Sequence, residues 1–412
     1  MIPTPAVPGA ARAEADLTAV LASVSATRML ATVQELAGDR YAGRRVGTPG
    51  GRAAADWLAA RLRELGANVE FDDFPVTGVR ELYATPVLQW HSGGRLRQLV
   101  HRRDFVEHLA SAELPAPRTA PLVRLPSGEG GFRDRWVLAE ASDWARACGP
   151  AGAQSAAGIL TARGSDAEGW MPKMIAGPPV RKVPILALRT EVHRELTEAL
   201  TGGPVHVTAS LPLRQVATEG LNVYARFPGT GRGPRVLLTA HYDGVGDDPA
   251  QRLPAAADNA SGVAAVLEAA RVLSANSLAA PAELSVAFLD AEEAGAWGSA
   301  HHAATVPPDT QVLNLDGAAQ LHQAASVEAG GPAHALLATL DQAARLTGVP
   351  LRAGAMASDN RRYAAAGLAA VGIGMGMPGY QTPAETPDRV QADTLLAAAR
   401  LLVATVGLLG TA

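Results

Sequence analysis

The stretch that most constrains the fold runs from Arg235 to Arg271. It begins with the apolar run VLLTA, which is typical of a buried strand, and His241 follows that run directly. Asp243 comes two residues later, and a loop rich in Gly, Asp and Pro then leads to Asp258 and an alanine-rich helical segment. An imidazole and two carboxylates are therefore expected where a strand ends and a helix begins. In open α/β sheets, ligands bind at such strand ends.

The remainder of the chain from Glu219 alternates strand-like and helix-like segments. The predicted strands are Leu221–Phe227, Arg235–Ala240, Glu283–Leu289, Gln311–Leu315, Ser326–Ala329 and Ala369–Met375. The predicted helices between and after these strands are Ser261–Leu273, Trp297–Ala304, Ala333–Leu346, Asn360–Ala366 and Ala392–Leu408. Three further helices are predicted near the start of the chain, at Ala15–Ser25, Thr27–Leu36 and Gly51–Leu65. This alternation predicts an α/β domain with a mostly parallel mixed sheet sandwiched by helices.

A different pattern occupies residues 77 to 216. Short β-like runs alternate there with turns rich in Gly and Pro, which is typical of a separate strand-rich module. We therefore expect residues 1–76 and 217–412 to build one domain and residues 77–216 to form a domain inserted into it.

Composition excludes several classes of protein. The net charge of -4 over 412 residues, without a run of Lys or Arg, argues against a nucleic-acid-binding surface. Cys148 is the only cysteine, so no internal disulfide can form. No signal peptide is visible, and the apolar segment Leu395–Leu409 carries Arg400 and is short for a membrane span. These features predict a cytoplasmic protein without a membrane partner, and they leave homo-oligomerisation open.

Acidic residues recur where the predicted strands end. The positions are His241 with Asp243, Asp258, Glu292 with Glu293, and Asp316. Any one of these acids alone is more typical of a helix N-cap or a solvated turn. Together at one sheet edge they would repel each other unless a cation neutralised them. Imidazole and carboxylate oxygens are ligands that suit zinc.

The adjacent pair Glu292 and Glu293 indicates two different roles. Neighbouring residues point in different directions, so one carboxylate can bind a metal while the other takes a proton from water that the metal acidifies. The alternative is an exposed acidic turn that precedes a helix.

Several motifs together resemble the M28 family of zinc aminopeptidases, which use two co-catalytic metals. They are AGRRVGTPGGRAAADWLAARLRELG, HYD, ADNASGVAAVLEAAR, FLDAEEAGAWGSAHH, NLDG, SDNRRYAAAGLAAVGIG and YQTPAETPDRV. The resemblance covers about Glu35–Phe74 and Glu219–Leu408. It implies a zinc-exopeptidase-like fold, peptide substrates with a free N-terminus, and one or two Zn²⁺ ions. The insert is similar, less specifically, to the protease-associated (PA) domain of many members.

The resemblance also implies a set of metal ligands. His241 and Asp316 would bind one metal, Asp258 would bridge two metals, and Glu293 would bind the other.

Three further roles follow from the same resemblance. Asp243 would orient His241, Glu292 would be the general base, and Tyr380 would contact the substrate or the developing oxyanion.

The chain departs from the family pattern at Gln381, which stands where the last histidine ligand is expected. Glu385 also stands where aspartate is usual, and Asn360 where histidine is common. Because a glutamine carbonyl is a weak zinc ligand, the second metal position is expected to bind poorly. Two alternatives to a two-metal aminopeptidase therefore stay open. One is a one-metal hydrolase, and the other is a degenerate M28-like protein that binds peptides or partners without hydrolysis.

Overall fold

The structure is a computed structural model that describes residues 17–125, 131–229, 233–276 and 282–410. It divides into two compact units. Unit 1 comprises Met1–Val76, Thr218–Gly246 and Leu253–Ala412, and unit 2 comprises Thr77–Ala217 and Asp247–Arg252. The short segment Asp247–Arg252 thus packs with unit 2, although the sequence pattern had placed it in the domain that carries His241 and Asp258.

The strands are β1 (Asn68–Leu82), β2 (Leu88–Ser92), β3 (Arg95–Gln98), β4 (Phe105–Glu107), β5 (Leu114–Arg124), β6 (Trp136–Ala139), β7 (Gly158–Arg163), β8 (Ile185–Arg189), β9 (His206–Leu211), β10 (Leu213–Arg226), β11 (Arg235–His241), β12 (Glu283–Leu289), β13 (Gln311–Leu315), β14 (Ala325–Gly330), β15 (Leu351–Ala353) and β16 (Ala369–Gly374). The helices are α1 (Ala26–Leu36), α2 (Pro49–Glu64), α3 (Trp144–Ala153), α4 (Thr190–Gly202), α5 (Ser261–Ala275), α6 (Trp297–Ala303), α7 (His334–Thr347), α8 (Asn360–Ala365) and α9 (Ala392–Leu409).

Unit 1 is built on an eight-stranded mixed sheet in the order β1-β10-β12-β11-β13-β16-β14-β15. Its centre is parallel, because β11 pairs in parallel with both β12 and β13, and β13 pairs in parallel with β16. Strands β10 and β14 run antiparallel to their neighbours β12 and β16. The predicted α/β class with a mostly parallel mixed sheet is confirmed. The central strands are buried along most of their length, as expected for a sheet that helices cover on both faces.

The buried helices of unit 1 explain its most apolar sequences. Helix α5 is buried along nearly all of its length, and α9 packs against the same core. Among the described residues, α9 is the one helix with the length and hydropathy of a membrane span, and 67% of it is buried. Its apolar surface is therefore accounted for by packing within unit 1.

The parallel strands place the expected site residues together. Strands β11, β12 and β13 end at His241, Leu289 and Leu315, and acidic residues follow each of them. Because parallel strands end at the same edge of a sheet, these acids meet although they are far apart in sequence.

Unit 2 contains a second eight-stranded sheet in the order β3-β2-β9-β5-β6-β7-β8-β4. Strands β5 to β8 pair in parallel, and helices α3 and α4 pack against them. The expected strand-rich module is thus an α/β unit in its own right. Its likeness to a PA domain stays a prediction.

A buried ion cluster joins three segments of unit 2. Arg102 is fully buried, and its guanidinium donates to Glu107 at 2.7 Å and to Asp248 at 2.7 and 3.1 Å. Lys173 Nζ lies 3.2 Å from Asp248 Oδ1 and donates to Asp247 O at 3.0 Å. Although burial alone would raise the pKa of Glu107, the charge of Arg102 lowers it to about 2. The cluster fixes the segment Asp247–Arg252 in this unit.

One strand start and one short strand differ from the sequence-based expectations. Strand β10 begins at Leu213, well before the predicted start at Leu221, and the short strand β15 was missed. Strand β15 has only three residues at the sheet edge, too few for a periodic pattern. Of the predicted helix Ala15–Ser25, the first two residues lie outside the described residues, and residues 17–22 are helical.

Candidate metal centre

His241 is the last residue of β11 and is 1% exposed. Its Nε2 atom lies 3.1 Å from Asp258 Oδ1 and 3.2 Å from Asp316 Oδ1. The ligand atoms of these three residues all lie within 4.8 Å of one another. The structure therefore brings together the imidazole and the two carboxylates that the sequence predicted for the first metal position.

The local chain fold fixes the two carboxylates of this group. Asp316 directly follows β13, and its N–H donates to Ile373 O at 2.9 Å. Asp258 lies in the irregular turn before α5, and the Asp258–Asn259 peptide bond is cis. The buried carboxamide of Asn259 accepts hydrogen bonds from the N–H groups of Gly262 and Gly317, both at 3.0 Å. Asn259 thus links the turn that carries Asp258 to the strand end that carries Asp316.

Asp243 lies on the other side of the His241 ring. Its Oδ1 atom is 3.4 Å from His241 Nδ1, and its carboxylate is fully buried. The same carboxylate accepts hydrogen bonds from the backbone N–H groups of Glu292 at 3.1 Å and Glu293 at 3.2 Å. Asp243 therefore ties the histidine to the turn that presents both glutamates. A carboxylate on the far ring nitrogen is the usual partner of a zinc-binding histidine.

The cluster carries a large excess of negative charge. Burial raises the pKa values of Glu292 and Glu293 well above the ordinary range, and neighbouring carboxylates such as Asp258 raise them further. Burial alone would lower the pKa of His241, but the surrounding carboxylates raise it well above the ordinary value. Such an arrangement calls for a cation, because the acids otherwise repel each other or take up protons.

The second position of the centre has a different donor set. Gln381 lies in the left-handed region with φ +53°, and its Nε2 atom donates to Glu293 Oε2 at 2.5 Å. Glu293 Oε1 and Gln381 Oε1 are buried without a hydrogen-bond partner in the described part of the chain. Glu385 accepts the N–H groups of Asp258 at 2.5 Å and of Gln381 at 2.7 Å, so it holds both residues at this position.

The ligand atoms at the two positions differ in how well they suit zinc. His241, Asp258 and Asp316 supply one nitrogen and two carboxylate oxygens, which suits a catalytic zinc with an open coordination position. Glu293 and Gln381 supply oxygen donors alone, one of them neutral, which suits zinc poorly. The residues present therefore fit one zinc ion and do not fit a second.

Tyr380 is 44% exposed and directly precedes Gln381. Burial and the charges of Asp258 and Glu293 raise the pKa of its hydroxyl. Its role toward a substrate stays a prediction.

Two acidic residues of the site were not assigned a role from the sequence. Asp359 is fully buried, and burial raises its pKa to about 7. The other is Glu385, which departs from the family pattern. Two histidines of α6, which follows Glu293 in the chain, have other partners, since His301 Nε2 lies 3.0 Å from Asp72 Oδ1 and His302 Nδ1 lies 2.8 Å from the Tyr363 hydroxyl.

Comparisons with known proteins find a family match and several similar folds. Residues 222–406 match the model of Peptidase family M28. The fold is similar to that of a zinc aminopeptidase from Bacillus subtilis, with a TM-score of 0.69, 22% identity, and coverage of 93% of this chain and 94% of that chain. It is also similar to a peptidase M28 precursor from Shewanella amazonensis, with a TM-score of 0.72, 19% identity, and coverage of 97% and 96%.

A third similar structure is an aminopeptidase from Aneurinibacillus sp. strain AM-1, with a TM-score of 0.68, 20% identity and coverage of 94% of both chains. No curated protein sequence matches the chain significantly. These likenesses confirm the fold, and the family match covers the strands and turns that carry His241, Asp258, Glu293 and Asp316. Residues 222–406 of this chain are therefore similar to peptidase family M28.

Proposed function

We propose that the protein is a zinc-dependent aminopeptidase that removes N-terminal residues from peptides. The observation that carries the proposal is the buried group of His241, Asp258 and Asp316, whose ligand atoms converge at the carboxyl ends of parallel strands. The family match and the aminopeptidases of similar fold support the same reaction class.

The chemistry that a zinc ion supplies in such a site is polarisation of the scissile carbonyl group and acidification of water. Glu292 is the residue that we propose accepts the proton from that water and returns it to the leaving amine. The hydrogen bond from its backbone N–H to Asp243 fixes its position relative to His241. Burial raises the pKa of its carboxyl, which suits a group that must hold a proton and then release it.

Recognition of a free N-terminus requires acceptors for an ammonium group. Glu293 Oε1 and Gln381 Oε1 are buried oxygens that have no hydrogen-bond partner among the described residues. A substrate ammonium group can donate hydrogen bonds to both oxygens, and the negative charge of the cluster favours it. Tyr380 is the candidate for contact with the oxyanion on the other side of the substrate.

Aminoacyl-p-nitroanilides test the proposal directly. We expect the purified protein with one equivalent of zinc to hydrolyse substrates that have a free α-amine. N-acetylated versions of the same substrates are the control, and we expect much slower hydrolysis of them because they cannot donate from an ammonium group. Absence of turnover across the amino acids at full zinc occupancy contradicts the proposal.

One observation favours a second candidate function, which is peptide or partner binding without hydrolysis. The hydrogen bond between Gln381 and Glu293 gives Glu293 a protein partner where a second metal would otherwise bind. If this candidate is right, the purified protein contains no zinc and binds peptides without cleaving them. Zinc in the first position together with turnover excludes it.

A further inference from the structure

The loop between the ligands His241 and Asp258 is held by a buried arginine from elsewhere in the chain. Arg44 is 0% exposed, and its guanidinium donates only to backbone carbonyls in the described structure. Nε donates to Tyr242 O at 2.6 Å, directly after His241. Nη1 and Nη2 donate to Pro254 O at 3.1 Å and Ala255 O at 2.7 Å, shortly before Asp258. One side chain therefore joins the two ends of the loop.

The backbone around Arg44 is shaped to make this contact. Ala42, Gly43 and Arg44 all have positive φ, of 44°, 70° and 53°. Left-handed backbone at residues other than glycine costs free energy, so the surrounding contacts must hold it in place. A Cβ atom at Gly43 would lie 2.8 Å from the backbone of Gly246 and from Leu253 O, so this segment packs directly on the loop.

The charge of Arg44 makes its location unusual. No carboxylate pairs with it among the described residues, and burial lowers its pKa. Asp243, Asp258 and Glu385 act on its charge from the acidic cluster. A fixed cation near a metal position weakens metal binding by repulsion. Loss of the Arg44 charge should therefore strengthen zinc binding, whereas loss of its hydrogen bonds to the loop should weaken zinc binding.

We infer that Arg44 is a positioning residue, which sets the zinc affinity of His241, Asp258 and Asp316 by fixing both ends of the loop that joins the first two ligands. The inference rests on the proposed zinc centre. It concerns the geometry of the ligands and not the proton transfer at Glu292. Residues that orient metal ligands without touching the metal typically contribute about 10–100-fold to metal affinity.

The test compares the zinc Kd of wild type, Arg44→Met and Arg44→Lys by competition with a chelating dye, on protein shown to be folded by circular dichroism. We expect both variants to bind zinc about 10–100-fold more weakly. Methionine removes the hydrogen bonds. Lysine keeps the positive charge, but its single ammonium group cannot reach carbonyls on both ends of the loop. The lysine variant also keeps the test possible if the methionine variant does not fold.

Arg80→Lys is the matched control. Arg80 is also buried, and it donates to Leu109 O and Pro178 O, both at 2.8 Å, within unit 2. We expect its replacement to leave the zinc Kd unchanged.

Three results separate the possible failures. Tighter zinc binding in Arg44→Met, or an unchanged Kd in Arg44→Lys, overturns the positioning role. A lower unfolding temperature with an unchanged Kd shows a purely structural role and also overturns it. If wild type itself binds no zinc, the proposed function fails, and the inference fails with it.

Discussion

Replacing Glu292 with glutamine is expected to lower kcat by about 10²–10⁴-fold while the zinc content stays unchanged. The amide cannot accept a proton, so the proposed transfer from water to the leaving amine is lost. The zinc ligands His241, Asp258 and Asp316 are untouched. The backbone N–H that donates to Asp243 also remains, so the turn keeps its geometry. Steady-state kinetics with an aminoacyl-p-nitroanilide and metal analysis on the same sample measure both effects.

Glu140→Gln is a suitable control, because Glu140 forms an exposed ion pair with Arg124 in unit 2. We expect it to change neither kcat nor zinc content. A Glu292→Gln variant that retains near wild-type kcat removes Glu292 from the mechanism. One that loses zinc shows that Glu292 acts as a ligand and not as a base.

Replacing Arg102 with methionine is expected to destabilise unit 2 by about 3–5 kcal/mol at pH 7. The variant leaves Glu107 and Asp248 buried with fewer positive partners, and the unpaired charges carry a large desolvation penalty. Denaturant unfolding followed by tryptophan fluorescence measures the change. The signal reports mainly on unit 2, which contains Trp90, Trp136, Trp144 and Trp170 of the six tryptophans.

The destabilisation caused by Arg102→Met should become smaller as the pH falls. The folded pKa of Glu107 is about 2, below its unfolded value of about 4.3. Its ion pair therefore contributes fully above the unfolded pKa and is lost as pH falls toward 2. We expect the difference between wild type and Arg102→Met to be largest at neutral pH and to shrink below about pH 4.

Arg118→Met is the control for this prediction, because Arg118 and Asp134 form an exposed pair. Its effect should stay below about 1 kcal/mol. A similarly small effect for Arg102→Met contradicts the view that the cluster stabilises unit 2.

Much of the fold was predictable because the sequence signals are local. The run before His241 is mostly apolar, since β11 is buried on both faces, and α5 and α9 are apolar for the same reason. The meeting of His241 and Asp316 was predictable, because the ends of parallel strands lie at one edge of a sheet. The ligand roles of these two residues and of Asp258, which lies in the turn before α5, came from the family resemblance and stay predictions.

The supporting contacts were not predictable, because each joins residues far apart in sequence without a repeating pattern. Arg44 holds a loop about two hundred residues away in the sequence. The sequence alone does not distinguish a buried arginine from an exposed one. Glu385 bonds to the backbone of Asp258, a contact that no periodicity encodes. The segment Asp247–Arg252 packs with unit 2 because Arg102 and Lys173 bind Asp248. No sequence pattern predicts these ion pairs.

The central claim is that one zinc position is complete and the second is not. The most direct test is the zinc content of wild type and of Gln381→His after dialysis against excess zinc and removal of free metal. We predict about one zinc per chain in wild type and about two in Gln381→His, because the imidazole replaces a weak neutral oxygen donor next to Glu293. Two zinc ions in wild type, none in wild type, or an unchanged single zinc in Gln381→His would contradict this account.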